Sequence, residues 1–238
     1  MSSRLMGGVR HGRTMLRGVA VSVRSRLAPA YVRRKAFTDI YDAGGWRGVS
    51  STASGSGSTM DQTAHLREEL PGLLAELGAR SLLDAPCGDF HWMQTCPLDL
   101  DEYIGLDIVP RLVAENVERF GGERHRFEVA DLAVDTLPLA DVILCRDCLV
   151  HLPLRDALSV VRNFRRSGSG YLLSTTFPDT TVNAELAQAG GWRPLNLELA
   201  PFDLGPPLRL LNEGTTEYGD RYRDKSLGLW RLSTPDGR

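Results

Sequence analysis

Lysine is nearly absent from this chain: Lys35 and Lys225 are the only two among 28 basic residues, so arginine carries the positive charge. We read that bias as base composition before reading it as function. Cysteine is scarce as well. Cys87, Cys96, Cys145 and Cys148 do not group like the disulfide framework of a small secreted domain, and the expected compartment is reducing cytoplasm. No run of about 18 apolar residues occurs, so no transmembrane helix is expected, and no secretory apolar segment is seen. Acidic residues are missing from positions 1–36, which hold nine basic ones. The rest of the chain, with 19 basic and 30 acidic residues, carries a net −11.

What is present fits an ordinary globular protein. The 238 residues are 42% hydrophobic and 24% charged, enough to bury a core without disulfides or a structural metal. We expect three parts: a basic arm over 1–36, helical or disordered; helices and a Gly/Ser loop over 37–79 that cap the site; and a core over 80–238. A basic arm on an acidic body suits contact with an anionic surface or with the body itself, and an Arg-rich, acid-poor start also resembles a transit peptide. Residues 13–30 suit a basic helix. Phe37, Ile40 and Tyr41 lie at helical spacing before Gly44-Gly45. Residues 47–59 have the composition of a flexible linker.

A helix follows, with Leu66, Leu70, Leu73, Leu74 and Leu77 on one face, Asp61 as its N-cap, Gly78 at its end and Pro71 inside it. Short apolar runs then alternate with helical stretches. Strands are expected at 81–86, 103–108, 126–131, 141–147 and 171–177, and helices near 90–95, 110–120 and 154–166. The last presents Leu154, Leu158, Val161 and Phe164 on one face. Alternation of this kind predicts a parallel sheet with helices on both faces. Residues 178–207 are proline-rich and aperiodic, as in a lid or binding loop. Runs at 208–211 and 227–232 read as a closing antiparallel pair.

The most informative segment is Leu82-Leu83-Asp84-Ala85-Pro86-Cys87-Gly88-Asp89-Phe90. An apolar strand ends on an acid, and a tight turn opens a helix. Ligands of open α/β sheets bind beyond the carboxyl ends of strands, and Gly88 allows a close backbone approach. Asp107 ends the next strand about 20 residues on, where a carboxylate can accept from both hydroxyls of a ribose. Asp131 ends the strand after that.

Three acids at three successive strand ends resemble the class I S-adenosylmethionine-dependent methyltransferases. The resemblance covers about residues 80–177. Asp-Ala-Pro-Cys-Gly-Asp-Phe-His-Trp-Met, Gly-Leu-Asp-Ile-Val-Pro, Cys-Arg-Asp-Cys-Leu-Val-His-Leu-Pro and Asp-Lys-Ser-Leu-Gly-Leu-Trp look like a bacterial subgroup of that superfamily, to which we attach no substrate. It implies an α/β, doubly wound, Rossmann-like, seven-stranded, mostly parallel sheet and S-adenosylmethionine as cofactor. On it, Asp84, Ala85, Pro86, Cys87 and Gly88 face the methionine part. Asp107 holds the ribose, Ile108 lies against the adenine, Asp131 and Leu132 face the adenine edge, and Cys145 and Arg146 flank the sulfonium. The chain departs from the family in its turn, where Pro86 and Phe90 take the outer two of three usual glycines. That also removes the G-x-G-x-x-G of nicotinamide enzymes.

Asp147 and His151, at i and i+4 beyond the fourth strand, are the acid/base candidates, and His151 is the usual residue type for such work at neutral pH. A bracing role for His151 is the alternative. Arg146 can orient an anionic acceptor through a bidentate pair. Cys145 and Cys148 form a C-x-x-C without a second pair, which gives no zinc site; no metal is expected. Trp46, Ser54 and Gly55 are expected to fold over the cofactor. Asn183, Trp192, Arg193, Asn196, Phe202 and Lys225 are the candidates for an acceptor pocket, Lys225 opening the last strand.

The residues thus favour O-methylation of a small polar molecule, natural-product or sugar-like. N-methylation is second, because an amine needs less help from a base. A nucleic-acid methyltransferase using the basic arm is disfavoured, since Cys145-Arg146-Asp147-Cys148 stands where amino-group base methylases carry Asn/Asp-Pro-Pro-Tyr/Phe. A cofactor-binding regulator without catalysis is a third reading. Either a monomer or a homodimer is compatible with the sequence.

Overall fold

The computed structural model describes residues 29–44, 46, 52–217 and 219–232. The possible basic helix over 13–30 falls mostly outside them, as do residues 47–51.

Seven strands form one sheet in the order β3-β2-β1-β4-β5-β7-β6. They are β1 (Ser81–Asp84), β2 (Glu102–Asp107), β3 (His125–Val129), β4 (Val142–Cys145), β5 (Tyr171–Thr176), β6 (Arg209–Asn212) and β7 (Ser226–Arg231). The first five pair in parallel, and β7 runs antiparallel to both β5 and β6. Strands β2 and β3 are added on one side of β1 and strands β4 and β5 on the other, so the strand order reverses between β1 and β4. That switch point leaves a crevice at the carboxyl ends of both strands.

Helices α2 (Ala64–Glu76), α3 (Pro110–Phe120) and α4 (Leu154–Arg166) follow a further helix, α1, over 29–42. Successive side chains of a strand point to opposite faces, so β4 sends Val142 and Leu144 into one apolar layer and Ile143 and Cys145 into the other. The first layer holds Leu66, Leu70, Leu73 and Leu74 of α2; the second holds Ala157, Val160, Val161 and Phe164 of α4. Leu154 and Leu158 pack only at that layer's margin. The core face of α4 therefore centres about one residue before the expected stripe.

Boundaries shift where local chemistry intervenes. The N-cap of α2 is Thr63, not Asp61. Thr63 Oγ1 donates to the Thr59 carbonyl, which continues the preceding turn and delays the helix. Gly78 does end it, at φ +64°. Near 90–95 only a single 3-10 turn forms, Met93–Thr95. α1 crosses position 36, the expected border between arm and cap. Its Arg33 is only 4% exposed.

Most of 178–207 is fixed to the body. Leu195, Leu197 and Phe202 are buried in the α4 layer, and Arg193 donates to the carbonyls of Ala184, Leu149 and Leu152. Only residues 190–192 of this stretch reach the cavity described next.

Candidate functional site

A cavity of about 480 Å³ opens at the carboxyl ends of β1, β2 and β4. Asp84, Pro86, Cys87, Gly88, Asp107, Ile108, Asp131, Leu132, Arg146, Asp147 and His151 all line it, as do Trp46, Ser54, Gly55, Trp192 and Lys225. The sequence therefore brings together most of its candidates.

The turn after β1 keeps a glycine-like backbone without the glycines. Gly88 has φ +54° and Phe90 φ +56°. Phe90 holds this uncommon conformation because its ring is locked among Tyr103, Phe120, His125 and Phe127, with centroids 4.9–5.6 Å away. A Cβ on Gly88 would lie 2.2 Å from Ser54 Oγ. Ser54 belongs to a clasp: Thr52 Oγ1, Ser54 Oγ and the Ala53 N–H all donate to the Asp89 carboxylate, and Ser54 Oγ accepts from the Asp89 N–H. Residues 52–58 are thus a folded wall, unlike the linker their composition suggests.

Asp107 accepts from the N–H groups of Gly88 (3.3 Å) and Val109 (3.0 Å). Burial pushes its carboxyl up to about 6, against the pull of those N–H groups. Asp84 is pushed up to about 7 by burial, although Tyr103 donates to it at 2.6 Å and Arg146 stands near. A buried carboxylate with no bonded cation is the arrangement a positively charged ligand relieves.

Asp131 is differently engaged. Its carboxylate accepts from Arg33 Nε and Nη2 (2.8–3.2 Å) and from the Ala133 N–H. Arg33 also pairs with Asp156 at 3.1 Å. The oxygens expected at the adenine edge are therefore holding α1. Arg33, Phe37 and Tyr41 repeat at i, i+4 and i+8, and all three line the cavity. That spacing puts Arg33 on the cavity face of α1, while its pairing with Asp131 leaves no mark in the sequence.

Beyond β4, Arg146, Asp147, Glu213 and Lys225 form a buried ion network. Arg146 donates to Glu213 (2.6 Å), the Gly57 carbonyl (2.8 Å) and Ser58 Oγ. Lys225 donates to Asp147 at 2.7 Å and lies 3.3 Å from Glu213. Burial favours the protonated carboxyl of Asp147, but Lys225 and Arg146 outweigh it and hold the group well below the usual range. Asp147 is thus a fixed anion and a poor base, and Arg146 is bound within the protein rather than free for an anionic acceptor. Glu213 is far in sequence from the motif, and no spacing rule points to it.

His151 behaves otherwise. Its Nδ1 lies 2.6 Å from the Gly191 carbonyl, and its ring lies 5.4 Å from that of Trp46, tilted by 45°. A carbonyl only accepts, so Nδ1 carries the proton and Nε2 the lone pair. Burial holds the imidazole below its ordinary pKa, against the opposing effects of the Gly191 bond and Asp147.

Six expected wall residues lie elsewhere. Ala85 and Cys145 are fully buried in the α4 layer and do not line the cavity. Alternation along the strand turns them away from the ligand side. Asn183, Asn196 and Phe202 are not cavity walls either: Asn183 Nδ2 donates to the carbonyls of Asn196 and Ala200, Asn196 Nδ2 to those of Pro178 and Thr180, and Phe202 is core. Amides in an aperiodic loop here satisfy the loop's own backbone. Arg193, whose guanidinium holds three carbonyls, is likewise not a wall. Among the described residues no group of three or more His, Cys, Asp or Glu is placed to hold a metal, and no helix is long and apolar enough to cross a membrane.

No family model matches the chain, and no curated protein matches it in sequence. Solved structures do match in shape. The Burkholderia thailandensis 1,6-didemethyltoxoflavin-N1-methyltransferase, with 1,6-didemethyltoxoflavin and S-adenosylhomocysteine bound, aligns over 86% of this chain and 88% of its own at 21% identity and TM-score 0.58. Magnesium protoporphyrin IX methyltransferase from Synechocystis PCC 6803 with S-adenosylmethionine aligns over 84% and 97% at 16% identity and TM-score 0.55. Human N-acetylserotonin methyltransferase with S-adenosylmethionine aligns over 83% of this chain at 15% identity and TM-score 0.57; the match spans 59% of that enzyme. The chain has the class I methyltransferase fold.

Proposed function

We propose that this chain is an S-adenosylmethionine-dependent methyltransferase that methylates an oxygen of a small organic acceptor. One observation carries the reading: a single cavity joins the strand-end carboxylate Asp107 to the lone-pair nitrogen of His151. The fold supports the cofactor assignment, and the three similar enzymes are named for small organic molecules.

The residues present fit that cofactor, which supplies a methyl group on positively charged sulfur. Asp107 is placed to accept from two ribose hydroxyls, with Ile108 and Leu132 offering apolar walls to an adenine. Asp84, buried and raised to about 7, suits a cationic ligand. α1 and Trp46 supply one wall of the cavity. His151 Nε2 accepts the proton of an acceptor hydroxyl, and the Gly191 carbonyl holds the imidazole in position and stabilises its protonated form. A surplus of carboxylates along the walls repels phosphate, which favours a small molecule over nucleic acid. The narrower bacterial subgroup, action in the cytoplasm and a monomeric or dimeric state are part of the same reading.

The test is transfer of a labelled methyl group from the cofactor to fractions of host extract. The reading expects a labelled small molecule whose label resists mild alkali as an ether does. Label found only in RNA, DNA or protein contradicts it.

A further inference from the structure

The end of the cavity beside His151 has a wall of three aromatic rings from three separate segments. Phe177 follows β5, Trp192 sits in the loop after Gly191, and Tyr222 ends the 3-10 turn Gly219–Tyr222. Their centroids are 5.8 Å (Phe177–Trp192), 5.9 Å (Phe177–Tyr222) and 4.7 Å (Trp192–Tyr222) apart, all edge to face. Trp192 is 38% exposed, whereas Trp92 and Trp230 are buried. Trp192 thus leaves apolar surface open on the cavity wall, with Tyr222 beside it and Phe177, 1% exposed, backing both rings.

The two cations at this end are already engaged, while Asp147 Oδ1 and Glu213 Oε1 are buried without a hydrogen-bond partner. Arg146 is bound to Glu213 and Gly57, Lys225 to Asp147 and Glu213, and Glu217 to Ser56. A polyol buried here would need a partner for each hydroxyl, and the two unpartnered oxygens are both acceptors closed off from the cavity surface. The charges also do not balance: the carboxylates of Asp147, Glu213 and Glu217 outnumber Arg146 and Lys225, so an anionic acceptor meets repulsion.

Resting on the methyltransferase reading, we propose that the acceptor is an uncharged aromatic compound with a ring hydroxyl. Its ring packs on Trp192 and Tyr222, which Phe177 backs from the core, and its hydroxyl faces His151 Nε2. This narrows the earlier natural-product or sugar-like class and sets the sugar aside.

Saturation-transfer NMR on the full chain tests it with three probes: 1-naphthol, its saturated counterpart decahydro-1-naphthol, and 1-naphthoate. Each is measured with and without S-adenosylhomocysteine. We expect 1-naphthol to bind about tenfold more tightly than the saturated alcohol, as expected from loss of ring–ring packing, and naphthoate to bind more weakly than naphthol. Trp192→Ala should remove the preference for naphthol, and Trp192→Phe should keep it. Equal binding of naphthol and decahydronaphthol, or an unchanged preference in Trp192→Ala, overturns the proposal. The two readings fail separately. Absence of S-adenosylhomocysteine binding counts against the methyltransferase assignment, while the naphthol comparison still decides what the wall accepts.

Discussion

His151 donates its Nδ1 proton to the backbone carbonyl of Gly191 across 2.6 Å, and this bond decides which imidazole nitrogen is left as a base. The orienting group is a backbone oxygen 40 residues away in sequence, where the i, i+4 spacing had pointed to Asp147. The two residues should therefore separate in kinetics. His151→Ala should lower turnover by roughly 10²–10⁴-fold and leave S-adenosylhomocysteine affinity within a few-fold. The wild-type rate should rise with pH as the imidazole loses its proton. Because burial lowers that pKa, the rate should level off below the range of a free histidine. Asp147 is ionised throughout and its charge raises the His151 pKa, so Asp147→Asn should lower the rate while keeping the acidic limb and moving it to lower pH. A pH–rate profile that loses its acidic limb in Asp147→Asn but keeps it in His151→Ala would reverse the assignment.

Arg33 and Asp131 tie the N-terminal helix to the end of β3. Both side chains are at most 5% exposed. Removing one partner of such a pair leaves a buried charge unmatched, at a cost of about 3–5 kcal/mol. Arg33→Ala should lose about that much stability in urea denaturation and also bind S-adenosylhomocysteine more weakly. A chain beginning at residue 29 retains the pair and should bind as the full chain does. If Arg33→Ala unfolds at the wild-type urea concentration, α1 does not depend on this contact.

Gly88 has no room for a side chain. Alanine there meets Ser54 Oγ at 2.2 Å and takes up a φ of +54°. Gly88→Ala should destabilise the chain by about 1–3 kcal/mol and weaken cofactor binding by loosening the Asp89 clasp. Differential scanning calorimetry with and without S-adenosylhomocysteine reads both effects. Unchanged melting in both conditions would mean that the clasp contributes nothing.

Asp84 links ligand binding to protons. Its carboxyl is raised to about 7 by burial, so near pH 7 a substantial fraction is protonated. A cationic ligand favours the ionised form, so binding should release protons and strengthen as pH rises toward 8. The same shift has the opposite sign for folding. The folded group binds its proton more tightly than the unfolded one, so its stabilising contribution is full below about pH 4 and is lost as pH climbs through 7. Titration calorimetry of S-adenosylmethionine in buffers of different ionisation heat should therefore show proton release at pH 7, abolished in Asp84→Asn. Proton uptake on binding contradicts this role.

Much of the fold was legible because burial on a sheet leaves a plain imprint. Each of β1 to β5 lies within two residues of its apolar run, and the three strand-end acids mark the crevice. The turn was harder, since Phe90 does a glycine's work only through four neighbouring rings. What could not be read were partners remote in sequence: Arg33 for Asp131, Glu213 for Arg146, Gly191 for His151 and Asp89 for the Ser/Gly loop. The amides Asn183 and Asn196 misled for the complementary reason. A polar side chain in an irregular loop looks the same whether it faces a ligand or its own backbone.

If the strand-end carboxylates hold S-adenosylmethionine, titration calorimetry of S-adenosylhomocysteine against the wild type and Asp107→Ala will separate the two proteins. We expect one site per chain, with affinity reduced about 10²–10⁴-fold in Asp107→Ala, the loss of two hydrogen bonds to a charged group. Equal affinity in both proteins, or saturable binding of NAD with none of S-adenosylhomocysteine, would contradict it.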